Sequence, residues 1–79
     1  LYGEGDVLNN IGFIYSKLGE YIKALEHYQQ ALANYKKFSN RKGEGITLNN
    51  IGFIYFSMGE YTKALEYYQQ ALAIRKEVD

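Results

Sequence analysis

The segment LNNIGFIY occupies residues 8–15 and recurs without change at residues 48–55. Around it, residues 3–39 align with residues 43–79 at a shift of 40 positions, and 25 of these 37 pairs are identical. A fixed period between about 20 and 50 residues is typical of repeat arrays, in which each copy is one supersecondary unit. The chain is therefore one repeat written twice.

Each copy has the pattern of two amphipathic helices. Apolar residues recur three or four positions apart, which places them on one face of a helix. Gly19 separates the two halves of the first copy, where the end of a helix needs left-handed backbone. The pattern predicts helices near residues 4–18, 20–38, 44–58 and 60–78, with a polar break from Ser39 to Lys42. We expect an all-α fold of two antiparallel helix pairs in a single domain, 1–79, with repeats at about 3–42 and 43–79.

Two glycines lie in the middle of the predicted first helices. Gly12 and Gly52 each cost roughly 1 kcal/mol relative to alanine in a helix. A sequence that accepts this cost at the same place twice is expected to gain the close approach of a second backbone. Ala24 and Ala31 would supply a flat surface on the partner helix, with tyrosines around them.

These residues resemble the tetratricopeptide repeat (TPR) family, whose pattern combines an aliphatic–glycine pair with spaced tyrosine and alanine. Lys36 and Lys76 stand where the family often has proline, which lets the second helix continue and accounts for a period of 40 rather than 34. The long period resembles bacterial TPR arrays and the spindle-orientation and kinesin-light-chain adaptors. The first copy carries the motif on Leu8, Ile11, Gly12, Tyr15, Gly19, Tyr21, Ala24, Tyr28 and Ala31.

The resemblance implies a short right-handed α-solenoid that acts as a protein–protein interaction scaffold. In the family, the first helices line a concave groove that holds an extended peptide. Asparagine can pair with both sides of a peptide backbone, and phenylalanine can receive an apolar side chain. Carried over by position, the groove would comprise Asn9, Phe13, Ser16, Lys17, Asn49, Phe53, Phe56 and Ser57, with Asn10 and Asn50 at its rim.

A purely structural interpretation of these residues stays open. Asn10 and Asn50 could hydrogen-bond across the repeat interface, and Phe13 and Phe53 could pack against a neighbouring helix. A carboxylate-clamp type of groove is disfavoured, because Lys17 is the only base on these faces.

Composition and motifs argue against other functions. Nine basic and nine acidic side chains cancel, so we expect neither nucleic acid nor a membrane as a partner. The chain has no cysteine, and its single histidine, His27, is predicted to be a solvated side chain. The GEG triplets at 3–5 and 43–45 lack the context of a phosphate loop. We therefore predict no enzyme activity, no metal site and no cofactor, and we expect a cytoplasmic location.

A second hypothesis is a structural module that assembles with itself. About three repeats are usually needed for a stable array, and repeats bury their faces against neighbours. Since the sequence begins at Leu1, without methionine, we expect it to be part of a longer array. Its open ends would then make a homo-oligomer by head-to-tail stacking or by helix exchange. The residues predicted for self-association are Ile14, Leu18, Ala71, Leu72, Ile74 and Val78.

Overall fold

Four helices form two hairpins in the computed structural model, which describes residues 1–78. Helix α1 spans Glu4–Lys17, α2 Tyr21–Lys37, α3 Arg41–Ser57 and α4 Tyr61–Val78. Helix α1 packs against α2, and α3 packs against α4. No strand occurs in this part of the chain. The predicted all-α fold of two helix–turn–helix repeats is confirmed.

The turns inside the two hairpins are built by glycine. Gly19 and Gly59 have φ values of 76° and 79°, in the left-handed region that side chains disfavour. The N–H of Gly19 donates to the carbonyl of Ser16 at 3.0 Å, and the next N–H donates to the carbonyl of Tyr15 at 2.9 Å. These two hydrogen bonds satisfy carbonyl groups at the end of α1 in a Schellman motif. The position of Gly19 in the sequence predicted a helix end of this kind.

Helix α3 begins earlier than the sequence pattern predicts. Its first residue is Arg41 rather than residue 44, so the predicted polar break is wrong at its C-terminal end. The side-chain oxygen of Asn40 accepts a hydrogen bond from the N–H of Gly43 at 2.9 Å and caps the helix. Asparagine favours the N-cap of a helix, so Asn40 could have indicated this start. The predicted start was instead taken from the apolar spacing, which resumes only after residue 42.

Helix α3 joins the hairpins into one stack. It contacts α1, α2 and α4, whereas α4 contacts only α3. Ile51 and Ile54 of α3 are completely buried between its neighbours. The two repeats therefore share one hydrophobic core, whose buried members are Ala24, Tyr28, Leu32, Leu48, Ile51, Ile54, Ala71 and Ile74.

Tyrosine rings lie against the mid-helix glycines of both repeats. A Cβ placed on Gly12 would lie 2.7 Å from Cδ1 of Tyr28. A Cβ on Gly52 would lie 2.9 Å from Cδ1 of Tyr68 and 3.3 Å from the carbonyl oxygen of Ala64. The predicted close approach exists at both glycines, and the nearest atoms to either Cβ position belong to a tyrosine ring.

An ion cluster ties the start of α3 to the end of α4. The guanidinium of Arg41 donates to both carboxylate oxygens of Glu77, at 3.1 and 2.8 Å, and also to Glu44 at 2.5 Å. These hydrogen bonds raise the pKa of Arg41 and lower the pKa of Glu77. Glu44 is only 4% exposed, so the cluster gives a buried carboxylate its partner.

Candidate functional site

A shallow depression of about 270 Å³ lies between α1 and α3, the first helices of the two repeats. Most of its wall comes from residues that the sequence assigned to a groove or its rim. Helical spacing explains this, because positions three or four apart share one face and the two helices lie side by side. The lining residues are Phe13, Ser16, Lys17, Tyr28, Asn49, Asn50, Phe53 and Tyr68.

The two phenylalanines occupy equivalent positions in the two repeats. Phe13 and Phe53 are each 47% exposed, although both are large apolar side chains. The ammonium of Lys17 lies 5.1 Å from the centroid of the Phe13 ring, within cation–π range. Among the lining residues in the described chain, Lys17 carries the only charge. The depression thus offers two aromatic surfaces beside one positive group.

The asparagines divide into two environments. The side-chain oxygen of Asn9 accepts hydrogen bonds from Oγ1 of Thr47 at 3.2 Å and from Nδ2 of Asn50 at 3.3 Å. Asn9 and Asn50 therefore link the repeats, as the structural interpretation predicted for Asn50. Asn10 and Asn49 are exposed to solvent. Identical residues in the two copies thus differ in their contacts.

The structure leaves four of the predicted groove and rim residues outside this depression. Asn9 and Asn10 do not line it, and neither do Phe56 and Ser57. The ring of Phe56 instead lies 5.4 Å from the ring of Tyr61, in the following helix.

Two residues of the depression were not predicted as site residues. Tyr28 and Tyr68 belong to α2 and α4, where their spacing indicated only core packing. Each ring lies against the mid-helix glycine of its own repeat, on the first helix. The sequence could have indicated these contacts, because a glycine and a tyrosine occur at equivalent positions in both copies.

Comparison with known families settles what kind of repeat this is. A model of the tetratricopeptide repeat matches residues 4–77, which include both hairpins and the whole depression. The chain belongs to the tetratricopeptide repeat family. TPR repeats in general mediate protein–protein interaction, and the family is typically a non-enzymatic scaffold. A search of the curated proteins gives no significant match.

A larger depression of about 680 Å³ lies against α3 and α4 of the second TPR repeat. Leu72 and Val78 line it and are exposed, as are Ile14 and Leu18 at the opposite end of the stack. Ala71 and Ile74, which were also predicted for self-association, are each only 7% exposed. They pack inside the second TPR hairpin and form the floor of this depression.

The single histidine of the described TPR repeats lies on α2. His27 is half-buried rather than solvated, which corrects the prediction. Its Nδ1–H donates to the carbonyl of Lys23 at 2.8 Å, and its ring lies 5.2 Å from that of Tyr15. Within residues 1–78, no group of three or more His, Cys, Asp or Glu side chains is placed to hold a metal. Among the helices of this range, none has the length and hydropathy that a membrane span requires.

Proposed function

We propose that this TPR chain binds an extended peptide across α1 and α3 and receives one bulky apolar side chain in the depression between them. One observation carries the proposal. Phe13 and Phe53 come from different repeats, yet they converge on the same depression while remaining nearly half exposed. Exposed aromatic side chains that converge on a concave surface are typical of binding anchors.

The polar groups around the rings suit a peptide backbone. Asn49 is exposed and lines the depression, so its side chain can both donate to a peptide carbonyl and accept from a peptide N–H. Ser16 adds a hydroxyl group on the α1 side. Such contacts hold an extended chain without reading its sequence, and the aromatic surfaces then select the side chain between them.

The size and charge of the depression narrow the ligand class. Its volume of about 270 Å³ is below the range of roughly 300–1,000 Å³ that is usual for small-molecule sites. It suits one side chain better than a whole cofactor. Lys17 favours an acidic residue next to the apolar one. We therefore expect the ligands to be short peptides with a Leu, Ile or Phe flanked by Asp or Glu. We also propose that the protein is located in the cytoplasm.

A peptide library displayed on phage tests the proposal directly. Selection against the 79-residue chain should enrich acidic–apolar segments, and fluorescence anisotropy of the enriched peptides gives Kd. The double substitution Phe13→Ala and Phe53→Ala should weaken binding at least tenfold while leaving helical circular dichroism nearly unchanged. Lys17→Glu should weaken acidic peptides more than neutral ones. Ile22→Ala is the matched control, because Ile22 is exposed on α2 outside the depression.

Two results would contradict peptide binding in this depression. Enriched peptides could bind the double variant as tightly as the parent, which would place their site elsewhere. The double variant could instead lose its helical signal, which would assign both rings to the core of the fold.

A further inference from the structure

Equivalent helix faces of the two repeats differ sharply in burial. Ile51 and Ile54 of α3 are completely buried, whereas their counterparts on α1, Ile11 and Ile14, are 37% and 57% exposed. The residue types are identical, so the difference comes from the neighbour. Helix α3 lies against the first hairpin, and α1 has no hairpin against the corresponding face in the described structure.

The opposite end of the stack shows the complementary difference. Leu32 on α2 is 7% exposed because α3 covers it, but its counterpart Leu72 on α4 is 54% exposed. Tyr28 is buried, and its counterpart Tyr68 is only half-buried. Together with Asn49 and Val78, these uncovered residues line the depression of about 680 Å³.

We propose that a second copy of this chain lays its α1 on that depression, in the same register in which α3 lies on the first hairpin. The covering face consists of Val7, Asn10, Ile11 and Ile14 on α1. The receiving face consists of Asn49, Tyr68, Leu72 and Val78 on the second repeat. The chain already contains one instance of this interface internally, between residues of nearly the same sequence, so a second copy carries the matching surface.

The internal interface fixes the register between copies. Asn50 donates to the side-chain oxygen of Asn9 within the chain, so Asn10 of one copy donates to Asn49 of the other. Both of these asparagines are exposed in the single chain. Ile11 and Ile14 take the positions of Ile51 and Ile54, beside Leu72.

The interface between copies is weaker than the internal one. Oγ1 of Thr47 donates to Asn9 internally, but the equivalent residue on the covering face is Val7, which has no hydroxyl group. The Tyr35 ring that lies over Gly43 is replaced by Arg75 on the receiving side. We therefore expect reversible association in the micromolar range or weaker.

The contact is head-to-tail, because the two faces are different surfaces of one molecule. Each added copy leaves one covering face and one receiving face open, so assembly continues unless the ends meet in a ring. The row of first helices, and with it the groove, grows by two helices for each copy added.

Sedimentation of the 79-residue chain between about 1 µM and 1 mM tests the assembly. The parent should pass from monomer to species larger than a dimer as its concentration rises. Leu72→Lys should block the receiving face, and Ile14→Lys should block the covering face. Each variant alone should stay monomeric up to the highest concentration. Ile22→Lys is the control, because this exposed position lies outside both faces.

A mixture of the two blocked variants gives the decisive result. Leu72→Lys keeps a working covering face and Ile14→Lys keeps a working receiving face, so together they should form a 1:1 dimer that cannot grow. Circular dichroism confirms that each variant folds. Asn49→Ala, a milder change on the receiving face, should weaken association of an otherwise unchanged chain.

Restoring the missing hydroxyl tests the register itself. Val7→Thr should strengthen association by about fivefold, the effect of one added hydrogen bond between copies. Ile22→Thr, elsewhere on the surface, should leave association unchanged.

A parent that stays monomeric at 1 mM would overturn the proposal, and so would a mixture of the blocked variants that remains monomeric. A Val7→Thr chain that associates no more tightly than the parent would overturn the register.

Discussion

The ring of Tyr28 occupies the space that a side chain at Gly12 would need, since a Cβ there would lie 2.7 Å from Cδ1 of the ring. The same relationship recurs 40 positions later, between Tyr68 and Gly52. Interiors of proteins are close-packed, so neither member of such a pair can grow without displacing the other. The glycine is required by packing, and the tyrosine explains why a helix tolerates it.

Gly12→Ala should therefore destabilise the chain. Overpacking costs about 1–3 kcal/mol, and the better helix propensity of alanine returns only about 1 kcal/mol. We expect a net loss of up to about 2 kcal/mol in the free energy of unfolding by urea, and Gly12→Leu should disrupt the hairpin. Gly45→Ala is the control, because a Cβ there would meet Cγ2 of Ile74 at the milder distance of 3.1 Å. Equal effects at the two glycines would refute the packing argument.

Ser39 has a φ of 55°, in the left-handed region that Gly19 and Gly59 occupy at the other two turns. A non-glycine residue there costs about 1 kcal/mol, and glycine loses part of that gain through its larger entropy in the unfolded chain. Ser39→Gly should raise the free energy of unfolding by about 0.5 kcal/mol, seen as a higher Tm. Gly19→Ala is the converse change. A Cβ at Gly19 would meet no atom within 4 Å, so this variant measures only the cost of placing a side chain on left-handed backbone, and it should lower Tm. A drop in Tm for Ser39→Gly would contradict this account of the turn.

Asn9→Ala should loosen the contact between the repeats. It removes the acceptor of the hydroxyl of Thr47, which is completely buried. An unpaired buried hydroxyl costs about 1–3 kcal/mol, and we expect the lower end because a helical threonine can turn toward a backbone carbonyl. Asn10→Ala changes the neighbouring, exposed asparagine and should stay within about 0.5 kcal/mol of the parent. Urea unfolding at low micromolar concentration makes the comparison, and similar losses in both variants would rule out the interface role of Asn9.

Tyr35 should make the chain sensitive to alkali. Burial of its ring, together with the hydrogen bond from its hydroxyl to Asp6 at 2.5 Å, raises the pKa of the phenol. A pKa that is higher in the folded state gives stability that is present below the unfolded value, about 10, and is lost as pH rises beyond it. Tyr35→Phe should cost about 1 kcal/mol at neutral pH and should make the loss of stability above pH 10 less steep.

Identical slopes of stability against pH for Tyr35→Phe and the parent would show that the phenol of Tyr35 titrates similarly in the folded and unfolded chains.

Local residue chemistry determined the helices and their turns. Apolar spacing of 3.6 residues marked four helices, and glycine at positions 19 and 59 marked the turns, because both signals act within a few residues of the chain. The start of α3 was placed wrongly, since its cap is a hydrogen bond from Gly43 to the side chain of Asn40 rather than an apolar contact. The convergence of Phe13 and Phe53 on one depression also followed from their spacing, once two first helices lay side by side.

Burial of the duplicated residues was decided only by the tertiary structure. The sequence gives Asn9 and Asn49 the same neighbours in the chain, yet Asn9 is held by α3 and Asn49 faces solvent. The same holds for Leu32 and Leu72, of which only the first is covered by a following repeat. Periodicity fixes which face of a helix is apolar. Whether that face is buried depends on which helix lies against it, and two identical segments differ in nothing else.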